Sequence, residues 1–371
     1  MKFLLYVPVL LLLLTCTESG ERTLPVTESE PLNEKLQTAP VSWIDLDEVP
    51  VNDIHITEEQ LLYSTYRDFD PGSDAIQLAH PHRLVAGDEH IYIMSGLDRI
   101  VEMTPEGEIT GYATRVGSGP GEHDHNTRFI FSNDHNIFLN DSNHGRINVY
   151  DRDFSFKEEI NILIPDIYLA LNNEFIVFNN QQNYGMHTEA PDQGLLKIAP
   201  LSNPEDSVAT IMPRIVPSGM QPAFYNGVFR SINRHNEIAA AYQPLPWIFL
   251  FDDSFNHHHT ILLEASFLDT LSIPPLEFSE PRGTDGVGGR LPLTNLYFLD
   301  NGDLLIHSPF KGTLHVSPDQ NGFYHPEQLY RFHLPEDGEQ FNTLILDSFN
   351  RDSTGFYAIG GNSVFTWTPE W

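Results

Sequence analysis

Residues 82–123, HRLVAGDEHIYIMSGLDRIVEMTPEGEITGYATRVGSGPGEH, break into four short β segments at 83–88, 90–96, 99–105 and 108–116, followed by a glycine-rich loop. Tight turns separate the segments: Gly87-Asp88-Glu89, Gly96-Leu97-Asp98 and Pro105-Glu106-Gly107. Gly, Asp and Pro accept turn dihedrals at low cost. No apolar spacing in the stretch matches the 3.6 period of a helix. The unit then recurs. His90-Ile91-Tyr92-Ile93 returns as Asn136-Ile137-Phe138-Leu139, and the strand opened by Arg99-Ile100 returns as Arg146-Ile147-Asn148-Val149-Tyr150-Asp151.

A four-stranded antiparallel unit repeating at roughly 40–50 residues predicts radial sheets around an axis, a β-propeller. The second unit is expected at 128–133, 136–142, 146–152 and 156–162, and the third at 166–171, 173–179, 195–200 and 207–215. The fourth follows at 228–233, 237–242, 247–253 and 258–264, the fifth at 293–300, 303–308, 313–317 and 328–334. Second strands such as Phe175-Ile176-Val177-Phe178 and Leu304-Leu305-Ile306 are apolar on both faces, as blades packed face to face require. Outer strands are more polar, as in Lys157-Glu158-Glu159, and His257-His258-His259 is expected on a solvated outer edge. The sixth unit, 342–348, 355–360 and 363–368, has three strands. An unpaired edge invites unwanted association, so 61–69 is expected to supply the missing outer strand beside 363–368. A further strand is expected at Ile54-His55-Ile56. The reading is an all-β chain with one domain at 51–371, a six-bladed β-propeller of four-stranded antiparallel blades closed by an N-terminal strand. An open sandwich or a pair of barrels is the alternative.

The pattern of apolar strand, Asp/Asn-Gly turn, Arg-Ile and a strand ending near Asp resembles the six-bladed β-propeller lipoproteins of Bacteroidetes-type bacteria. NHL-repeat and TolB-like propellers are their relatives. Gly117-Ser118-Gly119-Pro120-Gly121-Glu122 is the sharpest match, within a resemblance that covers 81–150 well and the remainder loosely. It implies a fold and an extracytoplasmic role, and no activity.

The N-terminus supports that address. Lys2 precedes an apolar run at 3–14, shorter than the ~20 residues a membrane span needs. Residues 1–15 therefore read as a signal peptide. Leu13-Leu14-Thr15-Cys16 resembles a lipobox, although Thr15 stands where Gly, Ala or Ser is usual. Cys16 is the one cysteine in the chain, and a lone secreted thiol needs a role other than a disulfide; acylation supplies one. Residues 16–50 then form the lipidated cysteine and a flexible tether, the part up to about Pro40 being rich in Thr, Glu, Ser and Pro.

The chain carries 52 acidic and 20 basic residues, a formal net charge of −32. Such a surface offers no basic stripe to phosphates, which excludes nucleic acid as a partner. It favours a soluble monomer.

Function is expected on one rim. Within antiparallel blades, connections from second to third strand and from blade to blade share a rim. The long connections, at 117–126, 180–194, 216–227, 265–290 and 310–312, are all of those kinds. Insertions gathered on one side mark a binding face. His123, Asp124 and His125 offer imidazole and carboxylate groups that suit Zn or Mn, against the plainer reading of an inter-blade turn. The loop lacks the helix N-terminus of a phosphate cradle. Asp141, Asn143, His144 and Arg146 repeat the place of Asp98 and Arg99, which favours a braced turn over a polar ring at the channel mouth. Arg128, Tyr184, His187, Phe224, Tyr225, Trp247 and Arg290 lie in or beside insertions, where aromatic and cationic groups suit a glycan or protein. No nucleophile elbow is present. The leading expectation is a lipid-anchored, extracytoplasmic propeller that binds a protein, peptide or glycan. The alternative is a metal-assisted hydrolase or lyase with His and carboxylate groups at the channel mouth.

Overall fold

The structure, a computed structural model, describes residues 24, 30–70, 72–73, 75–96, 99–124, 127, 129–162, 169–180, 194–213, 227–243, 245–266, 268, 293–335, 344–348 and 355–371. Helix α1 (Glu30–Thr38) comes first, then strands β1 (Val41–Asp45), β2 (Val51–His55) and β3 (Leu61–Ser64), and a single helical turn, α2 (Thr65–Asp68). None of the described helices is long and apolar enough to cross a membrane.

Blade 1 is β4 (Arg83–Ala86), β5 (Ile91–Ser95), β6 (Arg99–Met103) and β7 (Ile109–Tyr112). Blade 2 is β8 (Phe129–Ser132), β9 (Ile137–Asp141), β10 (Arg146–Tyr150) and β11 (Phe156–Asn161). Blade 3 is β12 (Ala170–Leu171), β13 (Phe175–Asn179), β14 (Leu196–Pro200) and β15 (Ala209–Ile211). Blade 4 is β16 (Val228–Ile232), β17 (Ile238–Tyr242), β18 (Trp247–Phe251) and β19 (His257–Glu264). Blade 5 is β20 (Asn295–Phe298), β21 (Leu304–Ser308), β22 (Gly312–Pro318) and β23 (Tyr324–His333). Blade 6 is β24 (Leu344–Ser348), β25 (Phe356–Gly360) and β26 (Ser363–Trp367), with β3 as its fourth strand. The first strand of every blade lines a common central channel. The ring is a six-bladed β-propeller.

Closure is as expected: β3 pairs antiparallel with β26, Ser64 opposite Ser363 and Tyr63 opposite Val364. The pairing stops at Ser64, earlier than the 61–69 run suggested, because α2 turns the chain away. Boundaries shift elsewhere too. The inner strand of blade 3 shrinks to Ala170–Leu171, whereas the outer strand of blade 5 reaches back to Tyr324.

The core lies between blades. Six apolar clusters fill the six seams, and the middle strands β5, β9, β17, β21 and β25 are buried along their whole length. Successive side chains of one strand therefore serve two seams. Val149 and Ile147 face blade 3, while Tyr150 faces blade 1. Each fully buried Leu, Ile or Phe contributes about 1.5–3 kcal/mol over its exposed state.

Residues 30–50 correct the expectation of a solvated tether. Leu32 and Leu36 on α1 are buried in the seam between blades 3 and 4. β1 adds a parallel fifth strand to blade 4 along β19, and β2 adds one to blade 5 along β23. β1 pairs along Thr260–Glu264, just past the His257-His258-His259 run, where His258 is exposed as expected but His259 is 2% exposed. The remainder of the expected tether, the signal peptide and Cys16 lie outside the described residues.

The short turns from first to second strand are stitched side to side. Asn172 Oδ1 accepts the amides of Glu174 (2.9 Å) and Phe175 (2.8 Å), shaping its own turn. Its Nδ2 donates to Asn233 O of the next blade (2.8 Å) and to Asn236 Oδ1 (2.7 Å). Asn133 reaches Asn172 O (3.2 Å) in the same way, and Asn233 reaches Leu299 O (3.4 Å). One amide thus sets a turn and fastens it to its neighbour. Asn172→Ala leaves buried backbone groups without partners and is expected to cost about 2–4 kcal/mol. The exposed turn change Ser202→Ala should stay within about 0.5 kcal/mol. Urea unfolding of both checks this, and equal midpoints would discard the ladder.

Candidate functional site: the rim of long connections

Strand alternation sorts the connections onto two rims. One rim carries 87–90, 104–108, 133–136, 151–155, 172–174, 201–208, 233–237, 252–256, 299–303 and 319–323, all short. The other carries 113–128, 180–195, 212–227 and 265–294. The expected asymmetry is present, with one correction: 309–311 is a three-residue turn, since Gly312 already belongs to β22. Tyr184, His187, Tyr225, Phe224, Arg290, His125 and Arg128 fall outside the described residues. Trp247 opens β18 and is buried in the seam between blades 3 and 4, packing the core instead of meeting a ligand.

On this rim the structure does bring together His123, Asp124, Asp141, His144 and Arg146. β10 is the organiser. Period-two alternation puts Arg146, Asn148 and Tyr150 on the face toward the 113–124 connection. Asn148 Nδ2 donates to Glu122 O (2.8 Å), and the Tyr150 hydroxyl donates to Gly121 O (3.0 Å). Burial pushes the Tyr150 phenol up to about 12, so it stays a donor at neutral pH. Arg146 Nη2 donates to Gly119 O (3.2 Å) and Glu122 O (3.1 Å), Nη1 to Glu159 Oε1 (2.7 Å) and Nε to Asp141 Oδ2 (3.1 Å). Asp141, fully buried, also accepts the His144 Nδ1 proton at 2.8 Å. One guanidinium therefore bridges two carboxylates and ties down a loop.

The glycines of the loop have specific work. Gly121 sits at φ 71, and a Cβ there would lie 2.9 Å from the Phe156 side chain. The Gly119 amide donates to Glu122 Oε2 at 2.8 Å. The Glu122 carboxylate thereby occupies the place an outside anion would take, which gives a physical reason why this Gly-rich loop is a turn and no phosphate cradle. His123 is 1% exposed and backbone-bonded to Arg115 and Gly117. Asp124 accepts the Asn143 side-chain amide. Among the described residues no three His, Cys, Asp or Glu side chains gather as a metal-binding set. Glu122, Asn148, Tyr150 and Glu159 were not among the expected site residues. The i, i+2, i+4 spacing of Arg146, Asn148 and Tyr150 on a strand was the available signal.

The central channel encloses about 210 Å³. Arg83 and Arg230 are its charged lining residues. The Arg83 guanidinium lies over Phe129 (5.4 Å), and Arg230 Nη1 donates to Asn179 Oδ1 (2.8 Å). Tyr297 and Asn295 direct their polar groups to the backbone of β24, so both satisfy the inner edge of blade 6.

No protein-family model matches the chain, and no curated protein is similar to it. Solved structures share its architecture. A Bacteroides fragilis protein described as exported has a TM-score of 0.50 at 12% identity, over 89% of this chain and 100% of that one. A DUF4221 member from Bacteroides vulgatus has a TM-score of 0.46 at 10% identity, over 84% and 94%. A streptogramin B lyase has a TM-score of 0.39 at 11% identity, over 80% and 85%. At these identities the likeness is one of fold.

The Arg146 cluster makes a sharp prediction. Arg146→Met strands Asp141 as a buried, uncompensated charge and should cost about 3–5 kcal/mol. Asp141→Asn combined with Arg146→Met should cost less than Arg146→Met alone. Chemical denaturation of the two variants decides, and a double variant weaker than the single would refute the pairing.

Proposed function

We propose that the chain is a lipid-anchored, extracytoplasmic binding propeller, monomeric, which holds a protein, peptide or glycan on its rim of long connections. The observation that carries this reading is the sorting of 180–195, 212–227 and 265–294 to one rim, opposite a rim of short turns fastened by asparagine side chains. A rigid ring with variable loops on one face is a binding scaffold. Tyr184, His187, Tyr225 and Arg290 are the insertion residues whose chemistry suits contact with such a ligand. His144, in the turn between β9 and β10 on the same rim, has an exposed side chain able to contribute to such contact. The signal-like run at 3–14 and Cys16 support the anchor. The Bacteroides fragilis protein described as exported is in keeping with that location.

Two measurements test the reading. Deleting 265–290 should abolish recovery of a partner from envelope extracts, while Asp253→Lys on the short-turn rim should leave recovery unchanged. Equal recovery with and without the insertion removes the binding face. Mass spectrometry of the N-terminal peptide should find acylated Cys16 as the first residue; an unmodified thiol there removes the anchor.

A further inference from the structure

The N-terminal segment does two separable things. β3 lies within the ring and shuts it. Residues 30–56 lie outside the ring, across blades 4 and 5. Their attachment is pinned at histidines. Ser42 Oγ accepts the Tyr324 amide (2.8 Å) and lies 2.8 Å from His259 Nε2, which joins β1 to blades 4 and 5 at once; with the amide on one lone pair, the hydroxyl proton is placed to donate to Nε2. That donated bond requires an unprotonated Nε2. Phe323 stands edge-on to His259 (5.7 Å), Tyr324 lies at 5.4 Å, and His258 and Asp319 are the charged groups near it. His257 pairs with Thr260 Oγ1 (2.9 Å) between the rings of Phe249 and Phe251. On the α1 side it faces Lys35, whose ammonium lies over Phe251 at 6.0 Å, with His258 and His259 on its own strand. Under β2, Asp53 Oδ1 meets His333 Nε2 at 2.9 Å, His55 stacks on that ring at 4.9 Å, and Arg331 is adjacent. At the far end of β1, Asp47 pairs with Lys311 and accepts the Ser266 amide (2.6 Å).

We propose that residues 30–46 are an acid-releasable strap: protonation of His257 and His259 frees α1 and β1 from blade 4 while β3 keeps the ring closed. Burial holds both imidazoles down at about 4, and Lys35 adds to this at His257. In a released strap they return toward the ordinary value of about 6.5. Attachment is therefore complete above about pH 6.5 and weakens as pH falls toward 4, by up to roughly tenfold per histidine per pH unit. Asp47 opposes early loss at its own end, since Lys311 and the Ser266 amide hold its carboxyl at about 2. Release uncovers the edge of β19. If Cys16 is the anchor proposed above, release also lengthens the tether by up to roughly 55 Å, at about 3.3 Å per residue.

Hydrogen exchange of the full chain at pH 7 and pH 4.5, corrected for intrinsic rates, tests this directly. Amides of 32–38 and 41–46 should lose protection at least tenfold at pH 4.5 and regain it at pH 7, with β9, β17 and β25 unaffected. In His257→Gln/His259→Gln the strap should keep one protection level at both pH values. Unchanged strap protection at pH 4.5, loss together with the middle strands, or the same response in the double variant each overturn the proposal. Should the double variant not fold, Ser42→Ala serves: it must raise strap exchange at pH 7 without touching β9 or β17, and wild-type exchange in that variant overturns it equally.

Discussion

Six radial sheets become one body only because the chain's two ends meet in a single blade. The β3–β26 ladder completes blade 6 and brings Tyr63 into the apolar seam with blade 1, beside Val101, Ile345 and Val364. Without that strand, blade 6 would present an open edge and the last seam would lose part of its filling. Every other seam joins blades that follow one another in sequence, three of them with N-terminal residues added. This one spans the chain, and the common axis of the inner strands follows from it.

Closure also explains the division of labour between the rims. Antiparallel order inside each blade sends alternate connections to opposite sides. On one side, turns are short, and Asn and Asp side chains satisfy their backbone: Asp151, Asp252 and Asp319 accept amides within their own turns. Phe154 and Phe255 adopt left-handed backbone at those turns, as Gly322 does, because the hairpin geometry outweighs the cost for a side chain. The other side holds no such stitching between its long connections among the described residues, and it is free to vary in length. Rigidity and variability are thus segregated by topology.

The Arg146 cluster on the variable side serves the fold. Arg146 sits between Asp141 and Glu159 and grips the carbonyls of the 113–124 connection. Residues that look like ligands when read along the chain are consumed by neighbours across it. The repeat of Asp98-Arg99 at Asp141 to Arg146 pointed to a braced turn, and the contacts agree for Asp141 and Arg146. Which partners the brace would hold was illegible, since Glu122 lies in the inter-blade connection and Glu159 on the neighbouring strand β11.

Strand content, blade number and the sidedness of long connections were determined by the sequence alone. Burial on both faces writes itself into short apolar runs such as Ile91–Ser95, and turn residues mark their ends. The strap was decided only by tertiary structure. Leu32 and Leu36 in a run of Glu, Thr and Pro look like solvated chain, and a contact such as that of Ser42 with His259 leaves no local trace when its partners stand 217 residues apart. Apolar periodicity is a property of a segment, whereas a hydrogen bond across the ring exists only after the ring has closed.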